Sequence, residues 1–305
     1  MNYDIIGDVH GQSEKLVGLL KKLGYQETKG AWRNSSRTAV FVGDLIDRGP
    51  YQVETVNLVR RMVEAGTAYC ILGNHEFNAI AWATPDTDNP GEYLRRHGRA
   101  GNRHQHKAFL DEVENNPLHR EFVNWFKTLP LYLDFGGIRV VHACWNEAYL
   151  EQLEPFLGER QTLTDELMVW SSQEGHWAFL AVEALCKGLE IDLPEGASFH
   201  DKDGQIRRKM RLRWWEKDFS TYKKAALVSK DIIDQIPDIP MQPDSRIKVY
   251  DGPPVFFGHY WQIGKPQLFG ANVACVDYSA GKDGPLVAYR WEGEPILSQS
   301  NFVQY

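Results

Sequence analysis

Three apolar runs near the N-terminus each end in a glycine that is followed at once by polar residues. The first run is YDIIG at 3–7, the second is TAVFVG at 38–43, and the third is AYCILG at 68–73. Short apolar runs bounded by glycine are typical of buried strands. The segments between them, 12–25 and 51–66, carry leucine or valine at helical spacing. This alternation predicts βαβ units and a mainly parallel sheet at the start of the chain.

The rest of the chain has two further strand-rich parts with a different segment between them. Within 129–145, two strand-like runs flank Gly136 and Gly137, which predicts a hairpin. Four more runs of this kind lie in 253–291. The segment at approximately 150–245 is charged, has proline-rich edges and is interpreted as helical. The sequence therefore predicts an α/β (α+β) fold, with a single domain over residues 1–305 and a helical insertion or cap at approximately 150–245.

The composition of the 305 residues restricts the classes of function that the chain can have. It contains 43% hydrophobic and 25% charged residues, as an ordinary globular protein does. The formal net charge of −7 argues against a protein that binds nucleic acid stably. No apolar run is long enough to span a membrane, and the N-terminus lacks a basic, cleavable leader. We therefore expect a cytoplasmic protein with no membrane partner.

Two basic stretches stand out against this acidic background. Residues 93–107 hold five Arg or Lys, three His and no acidic residue, and residues 207–213 add five positive charges. The stretches are interpreted as solvated faces, or alternatively as a surface that receives a multiply charged substrate. His97, His104 and His106 are interpreted as loop residues and not as a further metal site.

The polar residues that follow the strand-like runs are candidates for one shared site. The carboxyl ends of parallel strands meet at one edge of a sheet, so the side chains there lie close together. Two more apolar runs end in histidine, in the second half of the chain. Oxygen and nitrogen donors without sulfur suit Mn, Fe, Zn or Co, and a carboxylate such as Asp44 can bridge two ions. The candidate ligands are Asp8, His10, Asp44, Asn74, His142 and His259.

The same residues occur in three ordered motifs, GDVHG, GDLIDRG and GNHE, and in the two single histidines that follow. This order resembles the calcineurin-like metallophosphoesterases, and more closely their phosphoprotein-phosphatase branch, whose motifs read GDxHG, GDxxDRG and GNHE. The tail at 272–294 is similar to the end of bacterial members, among them symmetrical diadenosine tetraphosphatases and serine/threonine protein phosphatases. The resemblance implies the family fold, a β-sandwich flanked by helices.

The resemblance also implies a role for each motif residue. Two divalent metal ions would be bound, with manganese as the first choice and iron, zinc, cobalt or nickel as alternatives. A hydroxide between the ions would attack phosphorus, and Arg48 would hold the phosphate. His75 would protonate the leaving oxygen, and Asp47 would orient His75. One ion would be held by Asp8, His10 and Asp44, and the other by Asp44, Asn74, His142 and His259.

The chain departs from the family pattern in two places. The residues after His142 read Ala-Cys where the family carries Gly-Gly or Ala-Gly. No Arg-Gly motif follows MVWSSQ at 168–173. The second phosphate-binding arginine of the family is therefore not identified, and Arg211 and Arg213 are both candidates.

The sequence thus predicts a two-metal phosphatase that hydrolyses phosphate esters or anhydrides, with a phosphoprotein or a dinucleoside polyphosphate as the substrate. A phosphodiesterase and a nucleic-acid end phosphatase are alternatives within the same fold. A scaffold on an inactive phosphatase fold is the alternative that is not an enzyme. Arg48 beside Asp47 favours monoesters or anhydrides, because an arginine fork grips terminal phosphate charge.

Overall fold

The computed structural model describes residues 2–201 and 204–305, so positions 202 and 203 of the predicted insertion lie outside the described residues. None of the helices in these ranges is both long enough and apolar enough to cross a membrane. The α-helices there are α1 Ser13–Lys22, α2 Gln52–Glu64, α3 Asn74–Ala83, α4 Asn102–Gln105, α5 Lys107–Val113, α6 Pro117–Phe126, α7 Glu147–Leu153, α8 Asp165–Ser171, α9 Trp177–Lys187 and α10 Tyr222–Ala225. The strands are β1 Asn2–Ile6, β2 Gln26–Thr28, β3 Ala31–Arg33, β4 Arg37–Phe41, β5 Ala68–Cys70, β6 Tyr132–Asp134, β7 Arg139–Val141, β8 Glu190–Asp192, β9 Phe199–His200, β10 Ile206–Arg207, β11 Lys209–Arg211, β12 Val255–Phe257, β13 Val273–Cys275, β14 Val287–Trp291 and β15 Phe302–Gln304.

Two sheets form the centre of the fold. The first has the order β15-β14-β1-β4-β5, in which β1, β4 and β5 run parallel and β14 is antiparallel to both of its neighbours. The second has the order β13-β12-β7-β6, in which β12 is parallel to β13 and β7, and β6 is antiparallel to β7. The parallel start of the chain and the hairpin at Gly136 and Gly137 are both confirmed.

Residues of the first sheet alternate between its two faces, as the pleat of a strand requires. Ile5 and Val40 are paired neighbours that pack with Val140 of the second sheet. Ile6 and Phe41, one position further on, belong to the larger core that the helices share. One face of the first sheet therefore meets the second sheet and the other meets helices. This is the β-sandwich flanked by helices that the resemblance implied.

The first two helices pack on this sheet through one apolar face. Leu16 and Leu19 of α1, and Val56 and Val59 of α2, recur at three-residue spacing and therefore lie on one side of each helix. All four are fully buried in the same core as Ile6. Because burying an aliphatic side chain is worth about 1.5–3 kcal/mol, hydrophobic burial holds these helices to the sheet.

The segment at approximately 150–245 is not helical throughout. Its first part contains α8 and α9, but four short strands follow, and these form two antiparallel pairs, β8 with β11 and β9 with β10. In β8, buried Ile191 lies between exposed Glu190 and Asp192, which is the two-residue period of a strand. The prediction of a helical segment is wrong for this part, because so short an alternation gives little periodic signal. The hairpin of β2 and β3 is also missing from the sequence prediction.

Candidate metal centre

One edge of the sandwich carries all six candidate ligands. The loops after β1, β4, β5, β7 and β12 converge there, and backbone hydrogen bonds join them. The N–H groups of Val9 and His10 donate to the carbonyl of Asp44 at 3.0 and 2.9 Å. The N–H of Gly258 donates to the carbonyl of His142 at 2.9 Å. The side chains that follow these strands therefore lie together, as their position after parallel strands predicts.

Several residues of these loops have the left-handed backbone that side chains other than glycine rarely adopt. The angle φ is 48° at His10, 51° at Asp44, 68° at Asp47, 73° at Arg48 and 70° at His259. Such a conformation costs on the order of 1–3 kcal/mol and persists only where the surroundings hold it. Because strain of this kind concentrates at functional sites, it marks the same loops that carry the candidate ligands.

Two glycines let the loops approach one another closely. A Cβ atom at Gly258 would lie 1.9 Å from Oδ1 of Asp8, and one at Gly73 would lie 2.3 Å from Oδ1 of Asp44. Non-bonded atoms pack at about 3.5–4.0 Å. Any other residue at either position would therefore displace a candidate ligand.

Asp44 lies at the centre of the cluster. Its Oδ2 atom is 3.3 Å from Nε2 of His142, 3.7 Å from Nε2 of His10 and 3.9 Å from Nε2 of His75. Two sets of donor atoms share this residue, and within each set the atoms lie within 4.8 Å of one another. One set is Asp44 with His10 and His75, and the other is Asp44 with His142 and His259. A carboxylate shared by two donor sets is the arrangement that a pair of metal ions needs.

Two of the imidazole rings are oriented by hydrogen bonds on the side away from Asp44. The Nδ1–H of His10 donates to the carbonyl of Ile46 at 2.8 Å, and that of His142 donates to the carbonyl of Val42 at 2.6 Å. Because a carbonyl oxygen only accepts, Nδ1 carries a proton in both rings, and the neutral form of each ring then has its lone pair on Nε2. Metal-binding histidines are held in the same way, with the other ring nitrogen donating to the protein.

Asn74 and Asp8 complete the cluster around the histidines. The amide oxygen of Asn74 is 2.7 Å from Nδ1 of His259 and 3.1 Å from Nε2 of His142. The Oδ2 atom of Asp8 accepts the backbone N–H of His259 at 3.0 Å. The other oxygen of Asp8, and Nε2 of His10, are buried without a hydrogen-bond partner. Since each unpartnered buried atom costs about 1–3 kcal/mol, both fit coordination of an ion.

The cluster is rich in buried carboxylates. Asp8, Asp44, Glu76 and Asp277 are buried, and within the described residues none of them pairs with an arginine or lysine. Burial, and then the charge of Asp277, hold the pKa of Asp8 well above its usual range. For Asp44, burial also raises the pKa, but the imidazoles of His142 and of the other neighbouring histidines outweigh burial. The pKa of Asp44 is therefore lowered. Divalent ions would compensate this buried negative charge.

Glu76 holds the loop that carries Asp44. Its carboxylate accepts the backbone N–H groups of Asp44 and Leu45 at 2.8 Å each, and that of Gly73 at 3.1 Å. It thereby ties the loop after β4 to the start of α3. Glu76 has a structural role in positioning two of the candidate ligands.

The three residues predicted to act on the substrate lie beside the cluster. The Nδ1–H of His75 donates to Oδ2 of Asp47 at 2.6 Å, and both side chains are buried. Burial lowers the pKa of His75, but the charges of Asp44 and Asp47 outweigh burial and raise it. Arg48, by contrast, is exposed, and its guanidinium carbon lies 4.1 Å from the centre of the Trp261 ring.

Sequence reasoning misses two aromatic side chains at this site. His106, interpreted from the sequence as a loop residue, does lie in the turn between α4 and α5, but it is buried with its Nδ1 within 3.1 Å of both oxygens of Asp47, a contact that the sequence does not predict. Trp261 stacks on His10 with ring centres 5.2 Å apart and supports Arg48. Trp261 follows a candidate ligand by two residues, which is a signal that could have found it. His106 offers no such signal, because Asp47 is 59 positions away along the chain.

The two candidates for the second phosphate-binding arginine lie in different surroundings. Burial, and then the positive charge of Arg211, hold the pKa of His259 well below its usual range. The Nε of Arg211 is buried without a partner, and its Nη2 is 3.4 Å from Glu190. Arg213 instead donates to the carbonyl of Lys224 at 2.5 Å. The charge of Arg211 thus acts on one of the candidate ligands.

Comparison with known proteins gives a family and a group of relatives. The family model described as calcineurin-like phosphoesterase matches residues 1–259. The asymmetrical bis(5'-nucleosyl)-tetraphosphatase PrpE of Oceanobacillus iheyensis is 37% identical over 144 residues, which cover 47% of this chain and 55% of that protein. Its namesake from Bacillus subtilis is 33% identical over 149 residues, which cover 47% and 57%. The chain thus spans just over half the length of these curated relatives.

One solved structure extends the likeness to nearly the whole chain. The cold-active protein-tyrosine phosphatase of a psychrophilic Shewanella species aligns with a TM-score of 0.51 and 16% sequence identity. The alignment covers 99% of this chain and 80% of that one. At this level of identity the likeness concerns the fold alone.

Proposed function

We propose, since the chain belongs to the calcineurin-like phosphoesterase family, that it is a phosphatase that hydrolyses phosphate esters or anhydrides with two divalent metal ions. The observation that carries the proposal is the position of Asp44, whose carboxylate is shared by two sets of donor atoms. Buried carboxylates without arginine or lysine partners in the described ranges support it, because bound cations would compensate their charge.

Four of the six proposed ligands belong to the two donor sets. Carboxylate and amide oxygens with imidazole nitrogens suit manganese first, and iron, zinc, cobalt or nickel as alternatives. Bound divalent ions supply an activated water and offset the charge of the phosphate. His75 also lies in one donor set, but its contact with Asp47 favours a role in proton transfer. One ion would be held by Asp8, His10 and Asp44, and the other by Asp44, Asn74, His142 and His259.

His75 is the proposed proton donor to the leaving oxygen. Asp47 accepts its Nδ1–H and fixes the ring, so that Nε2 faces the cluster 3.9 Å from Asp44. The two carboxylates raise the pKa of His75 against the effect of burial, and so keep the ring protonated to a higher pH. A general acid in such a position is worth about 10²–10⁴ in rate.

Arg48 and Arg211 are the proposed phosphate-binding residues. Arg48 stands exposed at the edge of the cluster, where its guanidinium rests on Trp261. Arg211 belongs to β11, so the segment at approximately 150–245 would contribute to substrate binding as part of a single domain. An arginine fork pairs with two free phosphate oxygens. We therefore favour a monoester or an anhydride over the diester of a phosphodiesterase.

A dinucleoside polyphosphate is the substrate that the relatives' names favour. A phosphoprotein is the second candidate, because the motifs GDVHG, GDLIDRG and GNHE are those of the phosphoprotein-phosphatase branch. The presence of all six candidate ligands argues against an inactive scaffold. We further propose that the protein is cytoplasmic. Its net charge of −7 argues against a stable nucleic-acid partner.

The test uses protein reconstituted with Mn²⁺, with diadenosine tetraphosphate and a phosphoserine peptide hydrolysed side by side and bound metal counted in the same sample. We expect two metal equivalents and faster hydrolysis of the dinucleotide. Faster hydrolysis of the peptide would make the phosphoprotein the substrate. Fewer than two equivalents would contradict the metal centre, and two equivalents without hydrolysis would contradict both substrates.

A further inference from the structure

His106 is a buried imidazole that the proposed reaction does not use. Its Nδ1 lies 3.1 Å from Oδ1 and 3.0 Å from Oδ2 of Asp47. The same carboxylate receives the Nδ1–H of His75 at 2.6 Å. Because a carboxylate only accepts, both rings donate to it through Nδ1. Asp47 therefore joins two imidazoles, and of these His75 is the one that also contacts Asp44.

Packing alone does not explain a histidine at this position. His106 is only 1% exposed, and its ring centre lies 5.1 Å from that of Phe109 and 6.1 Å from that of Trp82. Its Nε2 is buried without a partner, an unfavourable arrangement that an apolar residue would avoid. The side chain does not cap α5 either. Within 2–201 and 204–305, the contact with Asp47 is the one hydrogen-bonding interaction that this ring makes.

The segment that carries His106 is fixed to the helix that carries His75. One nitrogen of the Arg95 guanidinium, Nη1, donates to Oδ1 of Asn78 in α3 at 2.9 Å. A second nitrogen of the same guanidinium, Nη2, donates to Oε1 of Gln105 at 2.7 Å. Gln105 directly precedes His106, and Asn78 follows His75 by three residues, which is almost one helical turn. Arg95 therefore links the two segments that carry the histidines sharing Asp47.

We propose that His106 is a positioning residue that holds the Asp47 carboxylate in the orientation that His75 needs. The inference rests on the proposed role of His75 as the proton donor. The last torsion of an aspartate side chain is broad, so one hydrogen bond does not fix the carboxylate plane. A donor that contacts both oxygens does fix it, and keeps Oδ2 where it receives the Nδ1–H of His75.

The test separates the position of the donor from the size of the side chain. In His106→Asn the amide nitrogen takes the place of the imidazole Nδ1, whereas in His106→Gln it lies one carbon farther along. Each variant is assayed on an alkyl phosphate, whose leaving oxygen needs a proton, and on nitrophenyl phosphate, whose leaving oxygen does not. His75→Ala is the reference for loss of the acid. The matched control is His119→Gln, since His119 lies beside the same Phe109 ring with centres 5.9 Å apart.

We expect His106→Gln to lose about 10²-fold in kcat on the alkyl phosphate, the effect of a displacement of about 1 Å, and far less on nitrophenyl phosphate. His106→Asn should keep most of the wild-type rate, and His119→Gln should match the wild type. All variants should bind two Mn²⁺ equivalents. Equal losses in the Asn and Gln variants, or equal losses on the two substrates, would overturn the inference alone. An inactive wild type, or a His75→Ala variant that is equally impaired on both substrates, would overturn the proposed function and this inference with it.

Discussion

Two buried carboxylates, four residues apart along β1 and the loop that follows it, are neutralised in different ways. Asp4 is completely buried, and its Oδ1 accepts Nε–H groups from Arg37 at 2.8 Å and from Arg290 at 3.1 Å. Asp8 is 1% exposed, and in the described ranges it has no arginine or lysine partner. A buried carboxylate that the fold itself neutralises is structural. At Asp8, the proposed metal ion would supply the positive charge instead.

The Asp4 cluster, which consists of Asp4, Arg37 and Arg290, joins three neighbouring strands of the first sheet. Arg37 begins β4 and Arg290 lies in β14, and β1 with Asp4 runs between those two strands. Arg37 also donates through Nη2 to the carbonyls of Tyr3 and Trp291 at 2.8 and 2.9 Å. The charge of Asp4 is therefore matched by groups from the strands beside it. The cluster around Asp44 is instead built from loops, and it is open to an added ion.

The largest effect is expected from Asp44→Asn, which changes the charge of the shared ligand while keeping its size. The variant should lose at least one Mn²⁺ equivalent and at least about 10³-fold in kcat, because bound ions supply several kcal/mol of transition-state stabilisation. Metal counting and hydrolysis of diadenosine tetraphosphate measure the two losses. Two full equivalents retained in this variant would remove Asp44 from the bridging role and end the contrast with Asp4.

The sequence predicts which residues cluster around Asp44 because the candidate ligands occupy fixed positions after strands. Asp8, His10, Asp44 and Asn74 fall in short motifs, and the rule that parallel strand ends converge brings the motifs together. The pairing of Asp4 with Arg37 and Arg290 has no such motif. It depends on which strands become neighbours, which is information that only the folded sheet contains.

The same reasoning explains why the sequence misses the contact of His106 with Asp47 and the strand β8. The partner of His106 is 59 residues away, and the ring acquires its role only when the segment after α3 folds back on that helix. The strand β8 has three residues with one buried side chain, too few to show a period. Local patterns thus predicted the parallel start of the first sheet and the motif residues that lie together around Asp44. They could not predict contacts that the tertiary structure alone creates.

Asp4→Asn should reduce stability without changing the chemistry. Removing one partner of a buried ion pair costs about 3–5 kcal/mol, and we expect about 3 kcal/mol because the amide oxygen still accepts. Denaturant unfolding at a fixed Mn²⁺ concentration measures the change in the free energy of unfolding. The kcat and metal content of the folded variant should equal those of the wild type. A fall in kcat at unchanged stability would show that Asp4 acts on the metal centre, which would contradict the contrast between Asp4 and Asp8.

Glu292→Gln should have the smallest effect on stability. It tests whether burial is the reason why the ion pair of Asp4 with Arg37 contributes strongly to the free energy of unfolding. Glu292 lies 3.1 Å from Nη1 of Arg37, but its side chain is 67% exposed whereas that of Arg37 is 4% exposed. A pair with one partner in water contributes less than about 1 kcal/mol, so the free energy of unfolding should fall by no more than this.

The same substitution should cost more stability in the Asp4→Asn background, because Glu292 then supplies a larger share of the negative charge beside Arg37. The double-mutant cycle measures this coupling. If Glu292→Gln lowers the free energy of unfolding equally in the wild type and in Asp4→Asn, then water, and not Glu292, compensates the charge of Arg37 in the Asp4→Asn variant.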